Sequence, residues 1–324
     1  MTASLVLYEA RPPAVVLTIN RADKRNALSR QLIADLTTAF EKARDDSAAR
    51  CVILTGAGSV FCAGMDLAEL AESVQHVGMG ESGSSIDSQA SASSPSPLYS
   101  GERGWGEGAS LANPPVPLTP SPSPPSTGER GEKPPQSGQV WSELVWQDAL
   151  NLAALYDLIY TLPKPTISAV NGAAVAGGAG LVTVCDLALS VPEAKFGYPE
   201  VRRGLVAAMV MPHLLRHVGE RMARYLLLTG ELIDATEAQR TGLINEVVSK
   251  ENLSEKALAW ARLLAEGGPQ ALKATKSLLH QFSRQALSVG EAAQASAAPR
   301  LTEECKQGLE AFFNKRPVPW SPLA

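Results

Sequence analysis

Apolar positions along the chain follow two periods, and the places where one period gives way to the other mark the elements. Leu5 to Tyr8 and Val15 to Ile19 flank Arg11-Pro12-Pro13, a pattern that predicts a β-hairpin. From Ser29, suited to an N-cap, Leu32, Ile33, Leu36, Phe40 and Ala43 return at helical spacing and predict an amphipathic helix. Cys51 to Thr55 is a continuous apolar strand, and Gly56-Ala57-Gly58 turns it into Phe61-Cys62-Ala63-Gly64-Met65-Asp66, with a helix starting at Leu67. Helical spacing resumes at Trp141 and carries Leu144, Val145, Leu152, Leu155, Ile159 and Leu162 until Pro163 and Pro165 stop it. A buried strand over Thr166 to Val170 follows, closed by Asn171-Gly172, and Gly177, Gly178 and Gly180 then open a short apolar helix. Leu187 to Val191 predicts another strand, Phe196 to Glu200 a turn, and Val206 to Leu215 an apolar helix broken near Pro212. From Asn252 the pattern is helical throughout, interrupted at Gly267-Gly268-Pro269 and Pro299 and ended by Pro317, which predicts a separate helical piece.

Composition changes this picture in one place. Between about Gly78 and Gln139 Ser, Pro and Gly dominate and aliphatic residues nearly vanish, so no core can form there. The segment also repeats: SPSPLYSGERG from Ser94 returns as SPSPPSTGERG from Ser121. It is expected to be a disordered insertion, with a Pro-rich ligand for an aromatic groove as the alternative. The rest of the 324 residues, 45% hydrophobic overall, is rich enough for a real core.

A net charge of −4 gives no basic character, so neither nucleic acid nor an anionic membrane is expected as a partner. No stretch reaches the ~20 apolar residues of a membrane span, and the opening MTASLVLYEARPP lacks a basic leader, so the expected location is cytoplasmic. Cys51, Cys62, Cys185 and Cys305 lie far apart with no CxxC spacing and read as reduced and buried.

Candidate chemistry centres on the glycines after Thr166 to Val170. A helix start presents unpaired N–H groups and partial positive charge, and glycine lets a ligand approach it closely. Such a turn suits an anion, or else merely permits tight helix-to-sheet packing. It lacks the Gly-Lys-Ser/Thr ending of a P-loop and the third glycine of a dinucleotide site. Asp66 and Asp186 stand where a carboxylate caps local N–H groups. His213 and His217 have i, i+4 spacing, but Leu214 replaces the glutamate of a zinc peptidase helix, so a packed or surface pair is expected and no metal site.

Four runs in order, FCAGMDL, KPTISAVNGAAVAGGAG, CDLALSVPEAKFGYPE and GLEAFFNKRPVPW, together resemble the crotonase superfamily, the enoyl-CoA hydratase/isomerase family. The resemblance spans nearly everything except the insertion, whose removal leaves about 260 residues, the size of one crotonase subunit. It implies an α/β fold: a spiral of repeated ββα units with a C-terminal helical subdomain. Residues 1–77 would start the core, 78–139 form the insertion, 140–250 complete the core and its active-site loop, and 251–324 serve oligomerisation. A homotrimer or hexamer is implied, with Leu309, Phe312 and Phe313 as exposed apolar positions for assembly. The implied substrate is an acyl-CoA thioester, with no cofactor beyond that coenzyme A.

The resemblance also assigns roles. The backbone N–H groups of Met65 and Gly177 would bind the thioester carbonyl as an oxyanion hole, with Ala63, Asp66, Gly178 and Gly180 around the substrate. Lys24 and Arg25 fall in the loop near the CoA phosphates, or are a solvated pair. Glu200 matches the second of the family's two glutamates and would be the acid/base; outside this motif a Glu after Pro is by default a surface carboxylate. The first glutamate's position holds Gly180, and the aspartate of dienoyl-CoA isomerases falls at Ala208. One carboxylate suffices for a double-bond shift, whereas water addition asks for a second proton site. Hydration, thioester hydrolysis, decarboxylation and a binding protein without turnover stay open, and Gly180→Glu is expected to raise hydration if the missing carboxylate is what limits it.

Overall fold

The computed structural model describes residues 4–76, 143–282 and 289–317, so Trp141 and the predicted insertion over 78–139 lie outside the described residues. Strands β1 (Val6–Arg11) and β2 (Ala14–Ile19) pair antiparallel with Arg11 opposite Ala14, so Pro12 and Pro13 alone make the turn. Helix α1 (Arg30–Asp45) starts where Ser29 Oγ accepts the Leu32 N–H at 3.2 Å, and its Leu32, Ile33, Leu36 and Phe40 face is buried. The glycine turn after β3 (Cys51–Gly56) leads into β4 (Val60–Cys62) and α2 (Leu67–His76). Helix α3 (Glu143–Thr161) feeds β5 (Thr166–Val170), which is buried on both faces, as its unbroken apolar pattern requires.

Then come β6 (Ala173–Val175), α4 (Gly177–Val184), β7 (Leu187–Ser190), β8 (Lys195–Gly197) and a 3-10 turn at Pro199–Arg203. Helix α5 (Met211–Thr229), β9 (Leu232–Asp234), α6 (Ala235–Arg240) and β10 (Glu246–Val247) follow. The chain continues through α7 (Leu253–Ala265), α8 (Pro269–Phe282), α9 (Val289–Ala297), a second 3-10 turn at Ala298–Leu301, and α10 (Glu303–Phe313).

The strands sort into two sheets with one rule. The six-stranded sheet runs β1-β2-β3-β5-β7-β10 and the four-stranded sheet β4-β6-β8-β9. Each of three successive repeats therefore gives its first strand to the large sheet and its second to the small one. Within the small sheet β4, β6 and β8 are parallel neighbours, so the residues that follow them emerge side by side along one edge. This is the ββα spiral expected from the resemblance.

Four readings of the sequence need correction. Strands β6 and β8 are three residues each, and their small or turn-like sequences, AAV and KFG, give no period to read. Pro212 does not break a helix but stands in the first turn of α5, where its missing N–H costs nothing, and the apolar run before it precedes the helix. The helix bends instead at Gly219, at φ 69°. The C-terminal helices are not set apart, because α7 packs on β2, β3, β5 and β7 and α9 packs on α3. Leu309, expected to be exposed, is 3% accessible and packs with Leu70 and Cys305, whereas Phe312 and Phe313 are exposed. All four cysteines are free and buried. Among the described residues no helix is long and apolar enough to cross a membrane.

Candidate active site

The ends of β4, β6 and β8 meet at one cavity of about 110 Å³, room for several waters or a short acyl group. Ala63 and Met65 border it from the first turn, Val175, Ala176 and Gly177 from the second, and Pro199, Glu200 and Arg203 from the third. Leu67, Leu70, Leu152, Tyr156 and Val210 supply most of the remaining, largely apolar wall.

The first two turns touch. Gly64 has φ +91°, and a Cβ there would lie 2.8 Å from Ala176 Cβ and 3.3 Å from Gly177 N, so only glycine fits this crossing. Leu28 forms a parallel bridge to Met65, donating to Gly64 O at 2.8 Å and accepting from Asp66 N at 3.0 Å. A parallel bridge of this kind uses the groups flanking Met65, so the Met65 N–H is directed away from Leu28. Across the gap, Ala176 takes φ 53° and ψ −127° at the N-cap of α4, a strained conformation for a residue with a side chain. It turns the chain so that Gly177 opens the helix, where an N–H has no acceptor in its own helix. Tyr156 Oη donates to Gly177 O at 2.7 Å and fixes that first residue.

Glu200 is half-buried and borders the cavity, and its Oε2 is buried without a hydrogen-bond partner. Burial pushes its pKa up to about 7, against the opposing pull of its own backbone N–H and of Arg203. The carboxyl is thus poised to take or give a proton near neutrality. Arg203 stays beside it, donating to Pro199 O at 3.2 Å and stacking its guanidinium 4.7 Å from the centre of the Phe312 ring.

Gly180 does not border the cavity, and neither does Gly178; both serve packing. A Cβ on Gly178 would run into the Cys62 carbonyl, and one on Gly180 would meet Tyr156 Oη and Val210 Cγ1 at 2.5 Å each. Tyr156 therefore occupies the space a side chain at 180 would need, so Gly180→Glu cannot restore a carboxylate in this chain without moving the tyrosine. Asp66 also lies off this cavity: it pairs with Arg21 at 2.6 Å and accepts the Ala68 N–H at 3.0 Å, so it caps α2 and anchors a loop. Asp186 is tied to Thr166 and Lys276, again a structural post.

Lys24 and Arg25 are exposed and do not border the cavity, but their loop is held to it. Ala63 N–H donates to Arg25 O at 3.1 Å, and buried Asn26 donates to Ala57 O and Val60 O at 2.9 and 2.7 Å. His213 packs edge-on against Tyr160 and His217 Nε2 lies 2.9 Å from Thr183 O, the packing roles expected for them. Ala208 is buried. The sequence reading missed Tyr156, Arg203 and Arg300, all of which border the cavity. The available signal was slight: a polar tip on the apolar stripe of α3, an arginine pair just after Glu200, and a lone cation after an alanine-rich run.

Comparison with known proteins places the chain in a family. The enoyl-CoA hydratase/isomerase family model matches residues 12–108 and 144–322. A Thermus thermophilus protein with the provisional name enoyl-CoA hydratase is 35% identical over 304 residues, 93% of this chain and 95% of that protein. The 2,3-dehydroadipyl-CoA hydratase of Escherichia coli is 29% identical, with 97% of each chain covered. A crystal structure of an enoyl-CoA hydratase/isomerase from Xanthobacter autotrophicus shares the fold, with a TM-score of 0.70 at 22% identity over 97% of this chain and 94% of that one.

Proposed function

Since the chain belongs to the enoyl-CoA hydratase/isomerase family and is an acyl-CoA-processing enzyme, we propose that it moves a double bond within an enoyl-CoA, with Glu200 as the one proton carrier. The observation that carries this reading is that, among the described residues, Glu200 is the single carboxylate on the cavity wall, near neutral in its proton affinity and unpartnered at Oε2. The thioester carbonyl sits between the N–H groups of Met65 and Gly177. Removing a proton from the α-carbon of a 3-enoyl-CoA sends the electron pair through the adjacent double bond and carbonyl, and charge gathers on the carbonyl oxygen. Preorganised donors stabilise such charge by about 3 to 4 kcal/mol for each donor that mutation removes. Glu200, now protonated, returns the same proton to the γ-carbon and leaves a 2-enoyl-CoA, with no net change in charge.

Hydration is the second reading, favoured by the hydratase names of the Thermus and Escherichia coli relatives. It asks Glu200 to take a proton from water and deliver it to the α-carbon in turn. Lys24 and Arg25 lie on the exposed loop tied to Ala63, which supports contact with the CoA phosphates. The enzyme acts as a cytosolic homotrimer or hexamer, and its only coenzyme is the CoA of its substrate.

The test is a panel of 2-enoyl-, 3-enoyl- and malonyl-type CoA thioesters followed by mass and absorbance. Turnover of a 3-enoyl-CoA should fall by about 10² to 10⁴ in Glu200→Gln, while acyl-CoA binding by calorimetry persists. Water addition without any double-bond shift, or a Glu200→Gln enzyme as fast as the parent, overturns the reading.

A further inference from the structure

One cation on the cavity wall has no role in the chemistry above. Arg300, in the 3-10 turn after α9, is 2% accessible and borders the cavity. Its Nη2 donates to Ser296 Oγ at 3.2 Å and reaches Met65 Sδ at 3.5 Å, while its Nη1 is buried with no hydrogen-bond partner. Among the described residues no carboxylate forms an ion pair with it. Asp148 acts on it through space, but the Asp148 oxygens are taken by Arg30 at 2.8 and 2.9 Å and by Ser73 at 3.0 Å. Burial lowers the Arg300 pKa to about 10, which still leaves the group charged at neutral pH.

A buried guanidinium with an idle N–H edge is costly unless something meets it. Much of the wall of the same cavity is apolar, Leu67, Leu70 and Leu205 included. Arg203 also leaves its Nε without a partner, but its charge already faces Glu200. The unpartnered N–H thus belongs to Arg300, a residue on the wall of the cavity that also holds Glu200 and the Met65 and Gly177 turns. A neutral alkyl chain would leave that edge unsatisfied, whereas an anionic oxygen would complete it with a charge-assisted hydrogen bond.

We propose that the acyl group taken by this cavity carries a second carboxylate, which accepts from Arg300 Nη1. The substrate class is then the mono-CoA thioester of an unsaturated dicarboxylic acid. This rests on reading the cavity as the acyl site, and it adds the demand that the acyl chain itself bear a negative charge.

The experiment uses pairs of CoA thioesters of equal length that end in either a carboxylate or a methyl group. Binding to the unmodified protein is measured by calorimetry, and kcat/KM wherever turnover occurs. The carboxylate member should bind about tenfold tighter or better, as a buried charge-assisted pair allows. Arg300→Leu should collapse or invert that ratio, and Arg300→Lys should keep part of it. Equal affinity for both members in the unmodified protein overturns the proposal, and so does an Arg300→Leu protein that weakens both members by the same factor. Should Arg300→Leu fail to fold, the comparison in the unmodified protein decides. Because binding is read separately from turnover, an error in the proposed reaction leaves this test intact, and selective binding without isomerisation would fault the reaction alone.

Discussion

Glu200 and Tyr156 show how single side chains set what this cavity can do. The tyrosine hydroxyl is spent on the Gly177 carbonyl, and its ring stands where a side chain on Gly180 would go, so among the described residues the cavity keeps one carboxyl group. That carboxyl has its pKa raised from 4.5 to about 7, with a consequence for stability as well as rate. As pH rises past 4.5 the unfolded chain releases this proton, while the folded chain holds it until about 7. Stability contributed by Glu200 is therefore fully present below about 4.5 and is lost as pH climbs to about 7, by about 1.4 kcal/mol per pH unit across that window. Denaturant titrations of the parent and of Glu200→Gln at pH 5 and pH 7 should show the parent losing this increment relative to the variant. A constant difference would mean that the carboxyl is solvated. The rate of proton abstraction should rise with pH on a limb centred near 7, the ionisation of the same group.

At the scale of elements, the cavity exists because three parallel strands of the small sheet end together. Helix α4 must lie close on β4 for this, and Gly178 is the point of closest approach. Gly178→Ala should therefore cost about 1 to 3 kcal/mol through overpacking and depress acyl-CoA turnover, since a displaced α4 carries Gly177 with it. Gly268→Ala is the control, because its Cβ would find only Ala271 Cβ at 3.8 Å. A melt that drops equally in both would place the effect elsewhere.

The same elements show what a single sequence discloses. Strands β3 and β5, helix α1 and its Ser29 cap were legible because burial on a continuous or periodic face leaves a pattern. That Glu200 and the two glycine turns share one cavity was legible because their motifs keep a fixed order. Strands β6 and β8 were not, since three residues cannot display a period. Tyr156 and Arg300 were not, since each meets the cavity through contacts between residues far apart in the chain. Gly180 was read as a missing catalyst, and only the packing showed that a tyrosine fills the gap.

For the whole molecule, the two sheets and the helix α7 that covers the large one form one core, while apolar side chains stay exposed on the C-terminal helices. Leu263, Leu278, Leu279 and Phe313 are each at least half exposed, and the proposed assembly would cover side chains of this kind. Light scattering at micromolar concentration should give the mass of three or six chains. Replacing Leu278 and Leu279 with Ser should shift that mass downward if α8 lies at the contact, and a monomeric parent would sink the assembly proposal.

The cavity also joins two distant stretches of chain. Its reacting edge hangs from strand ends between Ala63 and Arg203, while Ser296 at the end of α9 and Arg300 in the turn after it close the other side. A lineage could therefore exchange the few residues of that closing turn and acquire a taste for a different acyl tail, while inheriting its proton chemistry untouched.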